Sequence, residues 1–226
     1  MIEYFNEDCM VGMARYPDKH FDLAIVDPPY GIGASEKNST DKKQSKNSAT
    51  NSKYYGNQKW DDNVPAKEYF EELIRVSKNQ IIWGVNYYPY DFLDGGRIYW
   101  DKRVTMPTYS NGELAYCSLI NSIRSVSITW HGMLQEDMKN KEIRIHPTQK
   151  PVALYKWLLK NYAKEGDKIL DTHVGSASSL IACYDLGFDA VGFELDEDYY
   201  NESKQRLERF MKQITLFDIS ELERSR

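Results

Sequence analysis

Paired cysteines, long apolar runs, a net positive charge and a pyrophosphate-binding fingerprint are all missing from this 226-residue chain. Its three cysteines, Cys9, Cys117 and Cys183, are scattered and odd in number. That argues against a disulfide framework and a cysteine zinc site, and suits a reducing cytoplasm. No apolar run approaches membrane-spanning length, and the first residues read as a strand rather than a charged-then-apolar leader. A membrane partner is therefore not expected. No Gly-x-Gly-x-x-Gly opens a helix, which disfavours a nicotinamide-dependent dehydrogenase. The net charge of −5 is not that of a uniformly basic nucleic-acid binder. Phosphate contact needs only a basic face, however, and Gly33 to Lys59 holds six lysines against Glu36 and Asp41, a local excess of +4. With 41% hydrophobic and 13% aromatic residues, 1–226 can bury one core as a single domain.

Among what is present, Ala24-Ile25-Val26-Asp27-Pro28-Pro29-Tyr30 is the most informative run. Its apolar, β-branched start reads as a buried strand, and two prolines end it. In an open α/β sheet, ligands bind at that carboxyl edge. Asp27 and the Pro28 carbonyl supply acceptors there, and Tyr30 supplies a flat face. Together they would grip a planar molecule through an exocyclic amino group. Later, Lys168–Asp171 reads as a short strand, Asp171 to Ser179 as a small-residue loop, Leu180–Leu186 as a helix and Ala190–Glu194 as a strand ending in an acid. That succession is the βαβ logic of an adenosine-binding site.

Asp27-Pro28-Pro29-Tyr30 resembles the catalytic tetrapeptide of the DNA N6-adenine and N4-cytosine amino-methyltransferases. His146-Pro147-Thr148-Gln149-Lys150-Pro151 resembles the segment that opens their cofactor half. The catalytic strand precedes the cofactor strands, as in the permuted β group of that family. The resemblance implies a Rossmann-like S-adenosylmethionine-dependent methyltransferase fold: α/β, a single mixed sheet, helices on both faces, and a circularly permuted motif order. It implies Asp27, Pro28, Pro29 and Tyr30 as catalytic residues. It also implies Asp8, Cys9, Thr148, Lys150, Asp171, His173, Gly175, Ser176 and Glu194 as cofactor residues. Asp171 would pair with the cofactor's ammonium, Glu194 would accept from two ribose hydroxyls, and Asp8 would receive the adenine amine. Asp8 also suits a helix N-cap, and the two roles are compatible. No metal is required.

Two departures from the family's usual Asp-Pro-Phe-x-Gly-Ser-Gly-Thr-Thr loop stand out. Thr172 and His173 replace Pro and Phe, and Ala177 replaces the last Gly, with Ser178-Ser179 after it. Alanine there costs little if residue 177 has helical dihedrals. His173 could lie against the cofactor or be a hydrogen-bonded structural residue.

The Ser-, Asn-, Lys- and Thr-rich stretch from about 33 to 62 has little apolar surface to bury and reads as a mobile loop that orders over DNA at the site, with a solvated insertion as the alternative. Lys42, Lys43 and Lys46 are its candidate phosphate contacts, and Tyr54, Tyr55 and Trp60 its apolar anchors. Pro65 to Lys78 reads as a helix, and Gln80–Val85, Arg97–Lys102 and Leu114–Ile120 as strands. Gly84-Val85-Asn86-Tyr87 is similar to a Gly-x-Asn-Tyr common in the family, which implies Asn86 and Tyr87 in the base pocket, with core packing of the tyrosines as the alternative. Segments 103–113 and 122–145, with Arg124, are the candidates for target reading.

The implied activity is methyl transfer from S-adenosylmethionine to adenine N6 in double-stranded DNA after base flipping, with cytosine N4 or an inactive DNA-binding relative as alternatives. After a helix from Glu197 to Lys212, the run from Gln213 through Leu216 and Phe217 resembles the Gln-x-x-Leu-Phe peptide by which bacterial proteins dock onto the sliding clamp. The alternative is a terminal strand or staple. A homodimer also stays open.

Overall fold

The computed structural model describes residues 1–33, 61–91, 93–104, 110–131 and 134–213, and the backbone of 214–224. Lys42, Lys43, Lys46, Tyr54, Tyr55 and Trp60 lie outside the described residues. Five strands, β1 (Ile2–Asn6), β2 (Phe21–Val26), β3 (Ser77–Trp83), β4 (Gly96–Asp101) and β5 (Gly112–Cys117), come first. They are followed by β6 (Ile123–Ser127), the short hairpin β7 (Trp130–His131) and β8 (Leu134–Gln135), β9 (Lys168–Asp171) and β10 (Asp189–Glu194). All but the hairpin form one sheet, ordered β1-β10-β9-β2-β3-β5-β4-β6. β1, β10, β9, β2 and β3 run parallel, and β5 is antiparallel to both of its neighbours.

The core lies on both faces because consecutive residues of a strand point to opposite sides. On one face Leu23, Ile25, Ile81, Trp83 and Ile169 meet α3 (Val152–Tyr162), α4 (Ser178–Asp185) and Leu207 of α5 (Glu197–Arg224). On the other, Ala24, Val26, Ile82 and Leu170 meet Met13 of α1 (Cys9–Met13) and Tyr69, Phe70, Leu73 and Val76 of α2 (Lys67–Val76). Central strands buried on both faces explain their near-continuous apolar runs.

From β2 the chain moves one way to β3, while β9, β10 and β1 extend the other way. The crevice at the carboxyl ends of β9 and β2 is thus the topological switch point, the usual ligand position in such sheets.

The structure corrects the element boundaries in three places. α2 stops at Val76 and β3 begins at once, because Ser77 is already extended (φ −119°, ψ 144°) while its hydroxyl donates to the Leu73 carbonyl at 2.5 Å. Segment 122–145 carries sheet structure: β6 caps the sheet, and Trp130 of β7 is buried with its indole N–H on the Gln149 carbonyl at 2.6 Å. β6 escapes sequence reading because only Val126 of its five residues is buried. The segment from Gln213 through Phe217 continues α5 instead of forming a tail or terminal strand. Clamp docking by an extended peptide would therefore require the end of α5 to unwind. The side chains of Leu216 and Phe217 lie outside the described residues. Among the described residues, no helix is long and apolar enough to cross a membrane.

Candidate active site at the carboxyl edge of the sheet

The ends of four parallel strands enclose one cavity of about 620 Å³. That is within the usual range for a small-molecule pocket. Glu7, Asp8 and Cys9 follow β1, Glu194, Leu195 and Asp196 follow or end β10, Thr172 to Ser176 follow β9, and Asp27 and Pro29 follow β2. His146, Thr148, Lys150 and Tyr155 line the remaining side.

Each wall residue is held by local chemistry. Asp8 caps α1, its carboxylate accepting from the Met10 amide at 2.7 Å while still reaching the cavity. The cap and the cavity position coexist. Beside it, burial pushes the Cys9 thiol up to about 12, so this cysteine is no nucleophile. Glu194 receives the Gly175 amide at 2.8 Å on one oxygen and the Asp196 amide at 3.0 Å on the other. These bonds fix the carboxylate and leave lone pairs for further donors. His146 lies edge-on to Tyr199, 4.3 Å between centroids, and within 3.1 Å of the Thr148 hydroxyl. Burial and the Lys150 charge drop its pKa to about 3, so it is neutral. Burial likewise lowers His173, to about 4, and its ring sits edge-on to Tyr69 at 5.3 Å.

The small-residue loop is built differently from expectation. Ala177 is left-handed (φ 61°, ψ 22°), not right-handed helical, and Gly175 also has positive φ. A left-handed alanine costs about 1–2 kcal/mol. The fold holds it because the Ala177 methyl is fully buried in the core. Arg206 of α5 also donates to the Ser176 carbonyl at 2.6 Å and pairs with Glu142 at 2.6 Å.

Asp171 is not among the residues that line the cavity. It lies behind the cavity wall, 2% exposed, its oxygens taking the His173 amide at 3.0 Å and the Ser179 hydroxyl. Through these two bonds it shapes the loop. Burial, reinforced by the charges of Asp27 and Glu194, lifts its pKa to about 7. An unfolded aspartate titrates near about 3.9. The stability linked to this group is therefore complete below about pH 4 and lost as pH rises through about 7. Asp171→Asn should remove that loss. Melting temperatures measured from acid to alkaline pH should show the variant gaining on wild type as pH rises. A pH-independent difference would mean that Asp171 ionises normally.

At β2 the tetrapeptide forms the centre of a buried polar network. Lys150, 2% exposed, donates to Asp27 Oδ2 at 2.5 Å and lies 2.9 Å from Glu113 Oε2. The Tyr30 hydroxyl donates to Asp27 Oδ1 at 2.6 Å, with Glu113 Oε2 3.0 Å away. Lys102 pairs with the other Glu113 oxygen. Burial raises Asp27 above the ordinary carboxylate value even against the pull of Lys150. Burial also opposes ionisation of Glu113, yet Lys150 and Lys102 hold it down to about 2. Asp27 is thus the more readily protonated of the pair.

The backbone after Asp27 is pinned as well. The Asp61 carboxylate accepts the Tyr30 and Gly31 amides at 2.6 and 3.0 Å, and the Gly33 amide reaches the Asp61 carbonyl. Gly33 and Asp61 therefore meet beside the tetrapeptide. Tyr88 donates its hydroxyl to the Pro28 carbonyl at 2.9 Å. Tyr87, 41% exposed, stacks on Tyr30 with centroids 5.0 Å apart and planes 16° apart. Gly84 makes room for Tyr30: a Cβ there would lie 2.1 Å from its ring.

A family model described as DNA methylase, covering N6 and N4 methyltransferases, matches residues 82–205, more than half of the chain. The chain belongs to this family. The Type II methyltransferase M.HpaI of Haemophilus parainfluenzae is 38% identical over 69 residues, covering 30% of this chain and 22% of that protein. The putative methylase YubD of Escherichia coli (strain K12) is 24% identical over 223 residues, 92% of this chain and 90% of its own length. In fold, the chain is similar to M1.HpyAVI in its SAM complex, with a TM-score of 0.58, 19% identity and coverage of 91% and 100% of the two chains. It is similar to the cytosine-N4-specific PvuII DNA methyltransferase as well, with a TM-score of 0.57, 13% identity and coverage of 93% and 90%. The fold is therefore that of the S-adenosylmethionine-dependent DNA methyltransferases.

Of the residues expected from sequence, Asp8, Cys9, Asp27, Pro29, Thr148, Lys150, His173, Gly175, Ser176 and Glu194 line the cavity together. Lys150 touches Asp27, and Tyr30 and Tyr87 stack beside it. Asn86 is exposed, and its neighbour Tyr88 makes the Pro28 contact instead. Arg124 is not at the base pocket. It sits on edge strand β6, level through Ile98 and Ala115 with Trp83 at the carboxyl end of β3 but four strands and roughly 19 Å from β2. In segment 103–113, residues 105–109 lie outside the described residues. Arg103 ties back to Ser127 and Glu136. Sequence reading missed Glu113, Lys102, Tyr88 and Asp61. None belongs to a motif. His146 was visible in its motif but not singled out.

Proposed function

We propose that the chain transfers a methyl group from S-adenosylmethionine to the N6 amino group of adenine in double-stranded DNA. The observation that carries this reading is the position of Asp27. It follows β2 on the wall of a cavity of about 620 Å³ whose far side, beyond β9, holds Asp8 and Glu194. One wall thus offers acceptors for a target amine, and the other offers acceptors for ribose hydroxyls and an adenine amine. The donor set fits S-adenosylmethionine, and the solved relative M1.HpyAVI is described as a SAM complex. Bound there, this cosubstrate supplies an electrophilic methyl.

The chain's own residues do the rest. Glu194 and Asp8 orient the nucleoside half, and neutral His146 and His173 add no competing positive charge. A base amine is unreachable inside a duplex, so the base is flipped and laid against Tyr30. Asp27 and the Pro28 carbonyl accept its hydrogens, which draws the nitrogen lone pair out of conjugation and toward the methyl. Holding both partners in one pocket makes the encounter effectively intramolecular. An acid as the first residue of the tetrapeptide supports adenine, since serine is commoner in cytosine-N4 relatives.

Long-read sequencing of DNA from a methylation-free strain expressing the gene tests the reading. N6-methyladenine at a defined motif is the expected result. N4-methylcytosine would transfer the assignment to cytosine, and unmodified DNA from a folded, expressed protein would overturn it.

A further inference from the structure

Every group assigned to the target base is engaged by the protein itself. A lysine ammonium sits on the Asp27 oxygen, a tyrosine hydroxyl on the Pro28 carbonyl and a tyrosine ring on the Tyr30 face. An entering amine must therefore displace Lys150 from Asp27. An ammonium only 2% exposed cannot simply be released, because an uncompensated buried charge is strongly unfavourable. Glu113 resolves the conflict. Its Oε2 already stands 2.9 Å from Lys150, while Lys102 neutralises its other oxygen. Two carboxylates and two ammoniums balance, so a shift of Lys150 toward Glu113 leaves no net charge behind.

We propose that Glu113 is a positioning residue that takes Lys150 over from Asp27 when the base amine enters. The proposal rests on the amino-methyltransfer reading. Only hydrogen bonds are exchanged: Lys150 keeps its protons, Asp27 stays ionised, and the amine's N–H replaces the ammonium N–H at Oδ2. The groups facing Asp27 are Lys150 before α3, Tyr30 on its own loop and Glu113 on β5. Asp171 at the end of β9, Tyr69 of α2, Tyr88 after β3 and Tyr155 of α3 feel its charge from farther off. Apart from Asp171, all of these outer groups are neutral phenols, so Glu113 and Lys150 control its charge most directly.

The test compares Glu113→Gln, Glu113→Asp and Lys150→Gln with wild type. Tritium transfer from labelled S-adenosylmethionine into unmethylated genomic DNA is followed across pH, and the Asp27 carboxyl is titrated by carbon-13 NMR in the free protein. Glu113→Gln removes a negative neighbour and leaves Lys150 a single carboxylate. Its turnover should fall at least about tenfold, and both the acid limb and the Asp27 titration should move down by about one unit. Lys150→Gln should move them up by a similar amount. Glu113→Asp keeps the charge and should restore the wild-type acid limb. Limbs that stay put, or move the same way in Glu113→Gln and Lys150→Gln, would overturn the proposal. If Lys150→Gln does not fold, the contrast between the two Glu113 variants decides alone. A wild type that methylates no DNA would sink the functional reading instead. The carboxyl titration needs neither DNA nor cosubstrate and tells the two failures apart.

Discussion

Asp27→Ala should reduce methyl transfer by about 10²–10³-fold or more while leaving affinity for the cofactor analogue sinefungin within a few fold. The magnitude is that of removing one preorganised partner of the charge that develops in a transition state. Binding should survive because Asp27 stands on the wall opposite Asp8 and Glu194, the groups proposed to hold the nucleoside. Folding should survive because Lys150 retains Glu113 as its counter-ion. Calorimetric titration with sinefungin, alongside tritium transfer to DNA, separates the two effects. Glu194→Ala is the contrasting variant. It removes a carboxylate held by two backbone amides and should weaken the analogue about tenfold or more, the worth of one charge-assisted hydrogen bond. If Asp27→Ala loses the analogue as severely as Glu194→Ala, Asp27 does not face the target amine.

Gly84→Ala should cost about 2–5 kcal/mol of stability and most of the activity, although Gly84 has no chemistry of its own. Two effects add. Gly84 is left-handed (φ 75°), which costs an alanine about 1–2 kcal/mol. The added methyl would also lie 2.1 Å from the Tyr30 ring, and overpacking of that kind costs about 1–3 kcal/mol. Tyr30 cannot yield freely. Its amide is held by Asp61, its hydroxyl by Asp27, and its face by Tyr87. Gly175→Ala is the control. It has similar positive φ, but the nearest atoms, in the His146 ring, are 3.7 Å away, so only backbone strain remains. Urea unfolding of the three proteins checks this. Equal losses in both variants would show that the Tyr30 contact contributes nothing.

How far the site could be read ahead of the structure depended on whether its chemistry is local. Asp27-Pro28-Pro29-Tyr30 is a strand end, a turn and an aromatic in seven residues with the run before it, so sequence alone carried it. The Lys150 side chain on Asp27 bridges 123 positions, and no periodicity encodes that pairing. Ala177 misled for a related reason. Alanine has no sequence mark for left-handed backbone, and only burial of its methyl and the Arg206 bond to the Ser176 carbonyl explain why the strain persists. Asp171 was correctly placed at a strand end, yet the last side chain of a strand can face either the crevice or the loop behind it. The Ser179 hydroxyl bonds one Asp171 oxygen, a contact that only the fold brings about.

The amino-acid sequence by itself determined the α/β class, and its motifs, by their resemblance to a known family, the permuted order. These follow from short-range patterns: apolar runs, prolines that stop strands, and small residues beside an acid. Tertiary structure alone decided that Glu113 and Lys102 complete the network around Asp27, that Tyr88 holds the Pro28 carbonyl, and that Arg124 lies at the far edge. Those outcomes depend on strand order and on which buried charge finds which partner. In a low-dielectric interior a buried ion must have a counter-ion, and which residue provides it is set by the fold.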